Sequence, residues 1–345
     1  MFVLVDDVGW GDVGWAGGRG RSMTPQLDML AHEGAILDRH YVHAVCSPTR
    51  SAIQTGRSPA RVCALNTRVD EYSSASAMGS GAPCEMTGLG QIMRTGGYAT
   101  HFIGKWDAGH LSWCQMPAAR GYDSFVGYLS HTIDYWTFEA TAPWTPGHLP
   151  GITDFWQSSV ATQDEGPALQ LLNGANCSHA QQRGCQYVDA VLETQVYERL
   201  NTHNMSRPLF LFWSLHANHD PIQPPDDVLE ELDQMPHSRR SAACFPSKQT
   251  CSSDAGSFCT QFRRHLARVY DMDSRIGRVV KQLRRSAMWD NTLLVLSSDN
   301  GAPAPGPGSN WPLSGSKGTF WEGGLRVSAF VSGGYLPAEK LLGAP

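Results

Sequence analysis

Two pairs of neighbouring residues in this sequence could hold a metal ion. Asp6-Asp7 and Asp299-Asn300 offer only oxygen ligands. Two neighbouring carboxylates repel each other and are costly to desolvate, so a buried pair needs a cation nearby. Oxygen-only ligation suits Ca²⁺ or Mg²⁺ rather than Zn²⁺. Either pair alone could be an ordinary loop cap or turn, but the two together predict a cation site.

A cysteine and an arginine near residue 50 suggest an anion pocket with a nucleophile at its mouth. The stretch from Ser51 to Thr55, ended by Gly56, is typical of a short helix, which places Cys46 at its N-terminus. Free amides and the helix dipole favour an anion there, and Arg50 adds a permanent, fork-shaped positive charge. The alternative is that Cys46 is an ordinary buried cysteine.

Polar residues directly follow the apolar runs that read as buried strands. The four runs are Phe2 to Val5, Ala99 to Ile103, Leu209 to Leu215 and Leu293 to Leu296. After them come Asp6-Asp7, Gly104-Lys105, His216 to His219, and Asp299-Asn300. Ligands of open α/β sheets bind outside the carboxyl ends of the strands. We therefore expect these polar groups to form one site.

Helical patterns alternate with the strands and predict an α/β fold. The segment from Pro25, capped by Thr24 and stopped by Gly34, reads as a helix, as do the stretches 188–200 and 266–283. Continuous apolar strands between helices favour a large, mostly parallel central sheet covered on both faces, an α/β/α sandwich. We expect a single catalytic domain over residues 1–345, with loop insertions around 129–186 and 232–262.

Composition excludes several classes of protein. The 345 residues are 41% hydrophobic and carry a net charge of −5, which does not fit a disordered chain. No basic stripe is present, so we expect no nucleic-acid partner. No apolar run approaches the roughly 20 residues of a membrane span, so none is predicted.

Nine cysteines indicate an oxidising compartment. If Cys46 has another task, eight remain for disulfides; Cys177 with Cys185, and two among Cys244, Cys251 and Cys259, are close enough in sequence to close short loops. Sequons at Asn176 and Asn204 would suit a glycoprotein. We expect a secretory-route protein, secreted or in a lysosome-like compartment, whose signal peptide is not present in this chain. The alternative is a set of buried thiols.

Several motifs in order resemble the formylglycine-dependent sulfatases of the alkaline phosphatase superfamily. The signature is Cys46-Ser47-Pro48-Thr49-Arg50 followed by Thr55-Gly56-Arg57. The other motifs are Asp6-Asp7-Val8-Gly9-Trp10-Gly11-Asp12, Gly104-Lys105-Trp106, His219-Asp220-Pro221, Ser298-Asp299-Asn300-Gly301, Gly315-Ser316-Lys317-Gly318 and Glu322-Gly323-Gly324-Leu325-Arg326-Val327. The resemblance therefore covers almost the whole chain.

The resemblance implies a role for each matching residue. Cys46 would be oxidised by a formylglycine-generating enzyme to formylglycine, whose hydrate is the nucleophile, and Arg50 would hold that hydrate. Lys105 and Lys317 would bind the sulfate oxygens, and His219 would lie near the leaving oxygen of the ester. His216 is the other candidate for the role of His219. The implied Ca²⁺ ligands are Asp6, Asp7, Asp299, Asn300 and the modified Cys46.

The sequence departs from the family pattern at two places. Asp107 stands where sulfatases usually carry a histidine after the Gly-Lys-Trp motif. A carboxylate there would repel sulfate unless its pKa rises or it points at Arg50 or a lysine; His110 is a candidate replacement for the histidine. The chain also ends at Pro345, where the family usually continues into a C-terminal subdomain, so we expect that subdomain to be largely absent.

The resemblance favours hydrolysis of an aryl or carbohydrate sulfate ester, so the expected partner is a sulfated small molecule or glycan. Two alternatives remain at this point. One is a phosphonate or phosphate monoester hydrolase of the same superfamily, and the other is a catalytically inactive binder of sulfated ligands.

Overall fold

The computed structural model describes residues 1–17, 23–62, 81–110, 112–141, 151–172, 185–235, 251 and 257–337. The chain divides into two compact units. The first comprises Met1–Leu4 and His43–His216, and the second comprises Val5–Val42 and Ala217–Pro345.

The described residues form strands β1 (Phe2–Val5), β2 (Ala35–Ile36), β3 (Ala99–Lys105), β4 (Ser124–Tyr128), β5 (Trp156–Ser159), β6 (Asp164–Pro167), β7 (Leu209–Ser214), β8 (Leu294–Ser298) and β9 (Ala329–Ser332). The α-helices are α1 (Pro25–Glu33), α2 (Cys46–Thr55), α3 (Pro59–Val62), α4 (Leu89–Thr95), α5 (Val188–Thr202), α6 (Asp226–Gln234), α7 (Phe258–Arg285) and α8 (Glu322–Leu325). All four strands and all three long helices predicted from the sequence are present, with ends that differ by a few residues or, for α7, by two turns.

The strands of the first unit pair in the order β1-β7-β3-β4-β5-β6. The pairs β1–β7, β7–β3 and β3–β4 are parallel, whereas β4–β5 and β5–β6 are antiparallel. The expected parallel arrangement is therefore confirmed for the interior strands of this unit and gives way to an antiparallel edge.

Aromatic side chains form the core of the first unit. Phe102 of β3 lies opposite Phe212 of β7, and their rings stack with centroids 4.7 Å apart. Trp106 and Tyr122 pack edge-on against Phe102. These large buried surfaces stabilise the parallel strands, whose carboxyl ends then carry the polar residues.

The stretch 129–186 holds more regular structure than the expected loop insertion. It contains β5 and β6, which extend the sheet of the first unit through antiparallel pairing. The stretch 232–262 includes the end of α6 and the start of α7. Residues 142–150, 173–184, 236–250 and 252–256, which belong to these two stretches, lie outside the described part of the chain.

In the second unit, β9 pairs with β2 and β8, in both cases antiparallel. Helix α1 begins at Pro25 after Thr24, as predicted, but the Thr24 side chain does not cap it. Its hydroxyl instead donates to Asp28, while the carboxylate of Asp273 in α7 accepts from the N–H groups of Gln26 and Leu27 at 3.1 and 2.7 Å. The two oxygens of this carboxylate thus satisfy two of the backbone donors that the first turn of a helix leaves without partners.

Two complete disulfides occur in the described residues, Cys84–Cys114 and Cys251–Cys259. The second confirms the expected pairing of two among Cys244, Cys251 and Cys259. Cys185 is also disulfide-bonded, whereas Cys177, its expected partner, lies outside the described residues. Cys46 is a buried thiol. No helix in the described part of the chain is long and apolar enough to cross a membrane.

Candidate active site

The predicted site residues fall into two groups, one in each unit. The cysteine group of the first unit consists of Cys46, Arg50, Lys105 and Asp107. The acidic group of the second unit consists of Asp6, Asp7, His219, Asp299, Asn300 and Lys317. Lys105 ends β3, Asp6-Asp7 follow β1, and Asp299-Asn300 follow β8. These residues therefore lie at the carboxyl ends of their strands.

Cys46 is the first residue of α2 and is completely buried. Pro48 is tolerated two residues later because the first amides of a helix have no acceptor within it. The helix ends at Gly56, whose φ of +64° glycine adopts without steric cost. The side chain at position 46 therefore stands at the positive end of a helix dipole.

Arg50 lies one turn into α2 and ties this helix to the ends of two strands. Its Nη1 donates to the carbonyl oxygen of Lys105 at 2.9 Å and to Ser214 Oγ at 2.7 Å. The two strands approach closely here, since a Cβ on Gly104 would lie 1.7 Å from the carbonyl oxygen of Ser214. The guanidinium is almost completely buried, so its charge acts in a medium of low dielectric constant.

Asp107, the departure from the family pattern, is surrounded by donors and cations. Its Oδ1 accepts from Ser47 Oγ at 2.8 Å, and its Oδ2 lies 3.1 Å from His131 Nδ1 and 3.7 Å from Lys105 Nζ. Burial by itself would raise the pKa of Asp107, but His131, Lys105 and Arg50 together hold that pKa well below its ordinary value. The carboxylate is therefore ionised and points at a lysine, one of the two possibilities raised from the sequence.

His131 is a site residue that the sequence reasoning missed. It is buried in the segment after β4, and one of its ring nitrogens lies within 4.8 Å of Cys46 Sγ. His110, the expected replacement for the missing histidine, is exposed. The only signal in the sequence was the absence of a histidine at position 107, and that signal does not say where another imidazole comes from.

His216, the competitor of His219, is occupied by structural hydrogen bonds. Its Nδ1 lies 2.7 Å from the hydroxyl of Tyr128, its Nε2 lies 2.8 Å from the carbonyl oxygen of Ile133, and its backbone N–H donates to Asp189. With both ring nitrogens engaged, His216 serves the packing of the first unit. This geometry favours His219 as the functional histidine.

The acidic group concentrates buried negative charge. Asp6, Asp7, Asp299 and Asn300 are almost completely inaccessible to solvent. Asp7 Oδ1 accepts from Lys317 Nζ and from Asn300 Nδ2, each at 2.6 Å, and the Asp7 N–H donates to Asp299 Oδ1 at 3.3 Å. Lys317 thus lies directly beside the carboxylates, and the structure brings these predicted residues together.

The donors of the acidic group fit a hard cation. Ligand atoms of Asp6, Asp7 and His219 lie within 4.8 Å of one another. Asn300 Oδ1 is buried and accepts no hydrogen bond from the described residues. A buried acceptor without a donor is costly unless something electropositive satisfies it. Three buried carboxylates and an amide oxygen supply the ligands that Ca²⁺ or Mg²⁺ takes in proteins.

His219 is held in place from its backbone and its ring. Its Nδ1 donates to the carbonyl oxygen of Asp220 at 2.8 Å, and its Nε2 lies 3.8 Å from Asp7 Oδ2. Arg268 of α7 donates to the carbonyl oxygens of Asn218, His219 and Pro221. This buried guanidinium fixes the segment that carries His219.

The sequence model of the sulfatase family matches residues 1–340, and the chain belongs to that family. It is 31% identical over 337 residues to mouse (Mus musculus) arylsulfatase J, covering 96% of this chain and 47% of that protein. It is 28% identical over 351 residues to pig (Sus scrofa) N-acetylgalactosamine-6-sulfatase, covering 99% and 58% respectively. The chain thus spans about half the length of these curated relatives.

Among solved structures, the chain is similar to that of Ps i-CgsB in complex with k-i-k-neocarrahexaose. The TM-score is 0.71 at 23% identity, and the likeness covers 96% of this chain and 64% of that one. The expected fold class is confirmed: the chain has the α/β fold of the sulfatase family.

Proposed function

We propose that this chain hydrolyses sulfate esters, aryl or carbohydrate, with formylglycine at position 46 and Ca²⁺ at the acidic group. The observation that carries this proposal is the cysteine group of a sulfatase-family chain: a buried thiol at a helix N-terminus, one turn from a buried arginine that bonds the backbone of a buried lysine. The formylglycine hydrate would supply the nucleophile. The surrounding cations neutralise the charge that spreads over the sulfate oxygens as the ester bond breaks.

The residues of the two groups would have different roles in the reaction. Arg50 orients the side chain at position 46, and Lys105 and Lys317 bind sulfate oxygens as compact point charges. His219 protonates the leaving oxygen of the ester, for which its Nε2 would be the donor since Nδ1 is engaged with Asp220. Asp107 keeps Lys105 and His131 in place.

For the metal, we propose Ca²⁺ bound by Asp6, Asp7, Asp299, Asn300 and the modified residue 46. Ca²⁺ accepts an irregular set of six to eight oxygen ligands, whereas Mg²⁺ demands near-octahedral geometry and retains several waters. The four buried side chains and the modified residue would supply most of the oxygen ligands that Ca²⁺ takes.

Mass spectrometry of the peptide that contains Cys46 tests the proposal most directly. In protein produced together with a formylglycine-generating enzyme, we expect the aldehyde at position 46 and turnover of an aryl sulfate. Cys46→Ala should abolish turnover and leave the circular dichroism spectrum unchanged. An unmodified thiol without turnover would instead favour a binder of sulfated ligands, and a clear preference for the phosphate ester of the same phenol would favour a phosphatase.

The disulfides favour an oxidising compartment. We propose that the protein belongs to the secretory route, secreted or lysosome-like, where the maturating enzyme and glycosylation would be encountered. Asn204 of the second sequon is exposed and therefore accessible, whereas Asn176 lies outside the described residues.

A further inference from the structure

We propose that His131, oriented by Asp107, is the imidazole that serves residue 46 in this chain, in place of the histidine that sulfatases usually carry at position 107. The inference rests on the proposed function, because it assigns a residue to that reaction. The imidazole would then follow the end of β4, whereas the family pattern places it after the end of β3.

The sheet register explains why two residues that are 24 positions apart meet. Lys105, the last residue of β3, is paired in parallel with Tyr128, the last residue of β4. Asp107 and His131 follow these two strand ends after two and three residues. Because the strands are parallel and adjacent, both segments emerge at the same edge of the sheet, and the side chains meet at 3.1 Å.

The hydrogen bond to Asp107 sets the orientation and the tautomer of His131. Asp107 is ionised and can only accept, so the proton of the neutral imidazole resides on Nδ1. In this tautomer the lone pair of the ring lies on Nε2. A buried carboxylate behind an imidazole is the arrangement that holds a general base in position and stabilises its protonated form.

The thiol of Cys46 lies within reach of this imidazole. A ring nitrogen of His131 is within 4.8 Å of Cys46 Sγ, and both side chains are buried. A hydroxyl oxygen on residue 46 would therefore stand close to His131. When the O–H bond of that hydroxyl breaks, its proton passes to Nε2 and forms an N–H bond, and the resulting imidazolium faces the carboxylate of Asp107. The electron pair left on the oxygen forms the new bond to sulfur, while the bond from sulfur to the ester oxygen breaks and that oxygen leaves with a proton from His219.

The same arrangement accounts for a carboxylate at position 107 in an anion site. Asp107 is covered by His131, Lys105 and Ser47. Its charge is therefore directed into these donors and away from a bound sulfate. A structural role for His131 remains the competing explanation, since it could merely hold Asp107.

Two substitutions separate these explanations. His131→Ala removes the imidazole, while His131→Asn keeps a donor near the position of Nδ1 for Asp107 and removes Nε2. We expect both variants to lower kcat by about 100- to 10,000-fold and to change KM by less than about threefold. A merely structural role predicts that His131→Asn restores kcat to nearly the wild-type value, and that result would overturn the proposal.

A second readout does not depend on turnover. In ¹⁵N-histidine-labelled protein, the ring signals of His131, assigned by their loss in His131→Asn, should differ between protein with formylglycine at position 46 and Cys46→Ala. His101, which belongs to β3 and bonds Ser124, serves as the control whose signals should not move. Unchanged His131 signals would overturn the inference alone, whereas an unmodified Cys46 in the wild-type protein would overturn the proposed function and the inference with it.

Discussion

Substitution of Arg50 by lysine tests the structural role of the buried guanidinium. The change keeps the positive charge but removes Nη1, the single nitrogen that donates to both the Lys105 carbonyl and the Ser214 hydroxyl. The lysine side chain ends one bond before the position of Nη1, so its ammonium cannot keep both hydrogen bonds at their present lengths. A hydrogen bond to a charged group contributes about 1.5–3 kcal/mol, so Arg50→Lys should lower the free energy of unfolding by at least about 1.5 kcal/mol.

Urea denaturation followed by circular dichroism measures this difference. The matched control is Arg61→Lys, because Arg61 is an exposed arginine of the short helix α3; its free energy of unfolding should stay within about 0.5 kcal/mol of the wild type. If Arg50→Lys were as stable as Arg61→Lys, the two hydrogen bonds would not hold α2 to the strand ends, and the reasoning would be refuted.

Three further predictions concern charge, metal and disulfide. Burial raises the pKa of Asp273 to about 7, so between about pH 4 and pH 7 the folded state keeps a proton that the unfolded chain has released. The free energy of unfolding should therefore fall as the pH rises from about 4 through 7. Asp273→Asn should flatten that pH dependence in urea titrations. Removal of Ca²⁺ with EGTA should lower Tm and added Ca²⁺ should restore it, whereas Asp299→Ala should show no response to either. Loss of the Cys84–Cys114 disulfide through a Cys84→Ser/Cys114→Ser pair should cost about 2–4 kcal/mol in the free energy of unfolding, and an unchanged urea midpoint would contradict this.

Buried parallel strands were the part of the fold that the sequence predicted best. β1 and β7 are continuous apolar runs because both faces of a parallel strand are covered, and their observed bounds nearly match the prediction. β6 was missed because Asp164–Pro167 has no apolar pattern; it exists through pairing with β5. Such pairing joins residues according to tertiary packing, which local periodicity does not encode.

The site residues differ in the same way in how far the sequence predicts them. Cys46, Arg50 and Lys105 could be predicted because a helix N-terminus and a strand end have recognisable local sequence patterns. The contact of Asp107 with His131 depends on the register between β3 and β4. Position 131 carries no motif of its own, so only the structure could identify it.

The complete burial of Cys46 has a consequence for the order of events in biosynthesis. Its neighbours Ser47, Pro48, Thr49 and Arg50 are buried as well, so this segment is not accessible to another enzyme in the folded protein. Any enzyme that oxidises Cys46 must therefore act on the nascent or unfolded chain, and a molecule that folds first loses the opportunity. The yield of modified protein then depends on the rate of oxidation relative to the rate of folding. Slowing the folding of this unit should raise that yield.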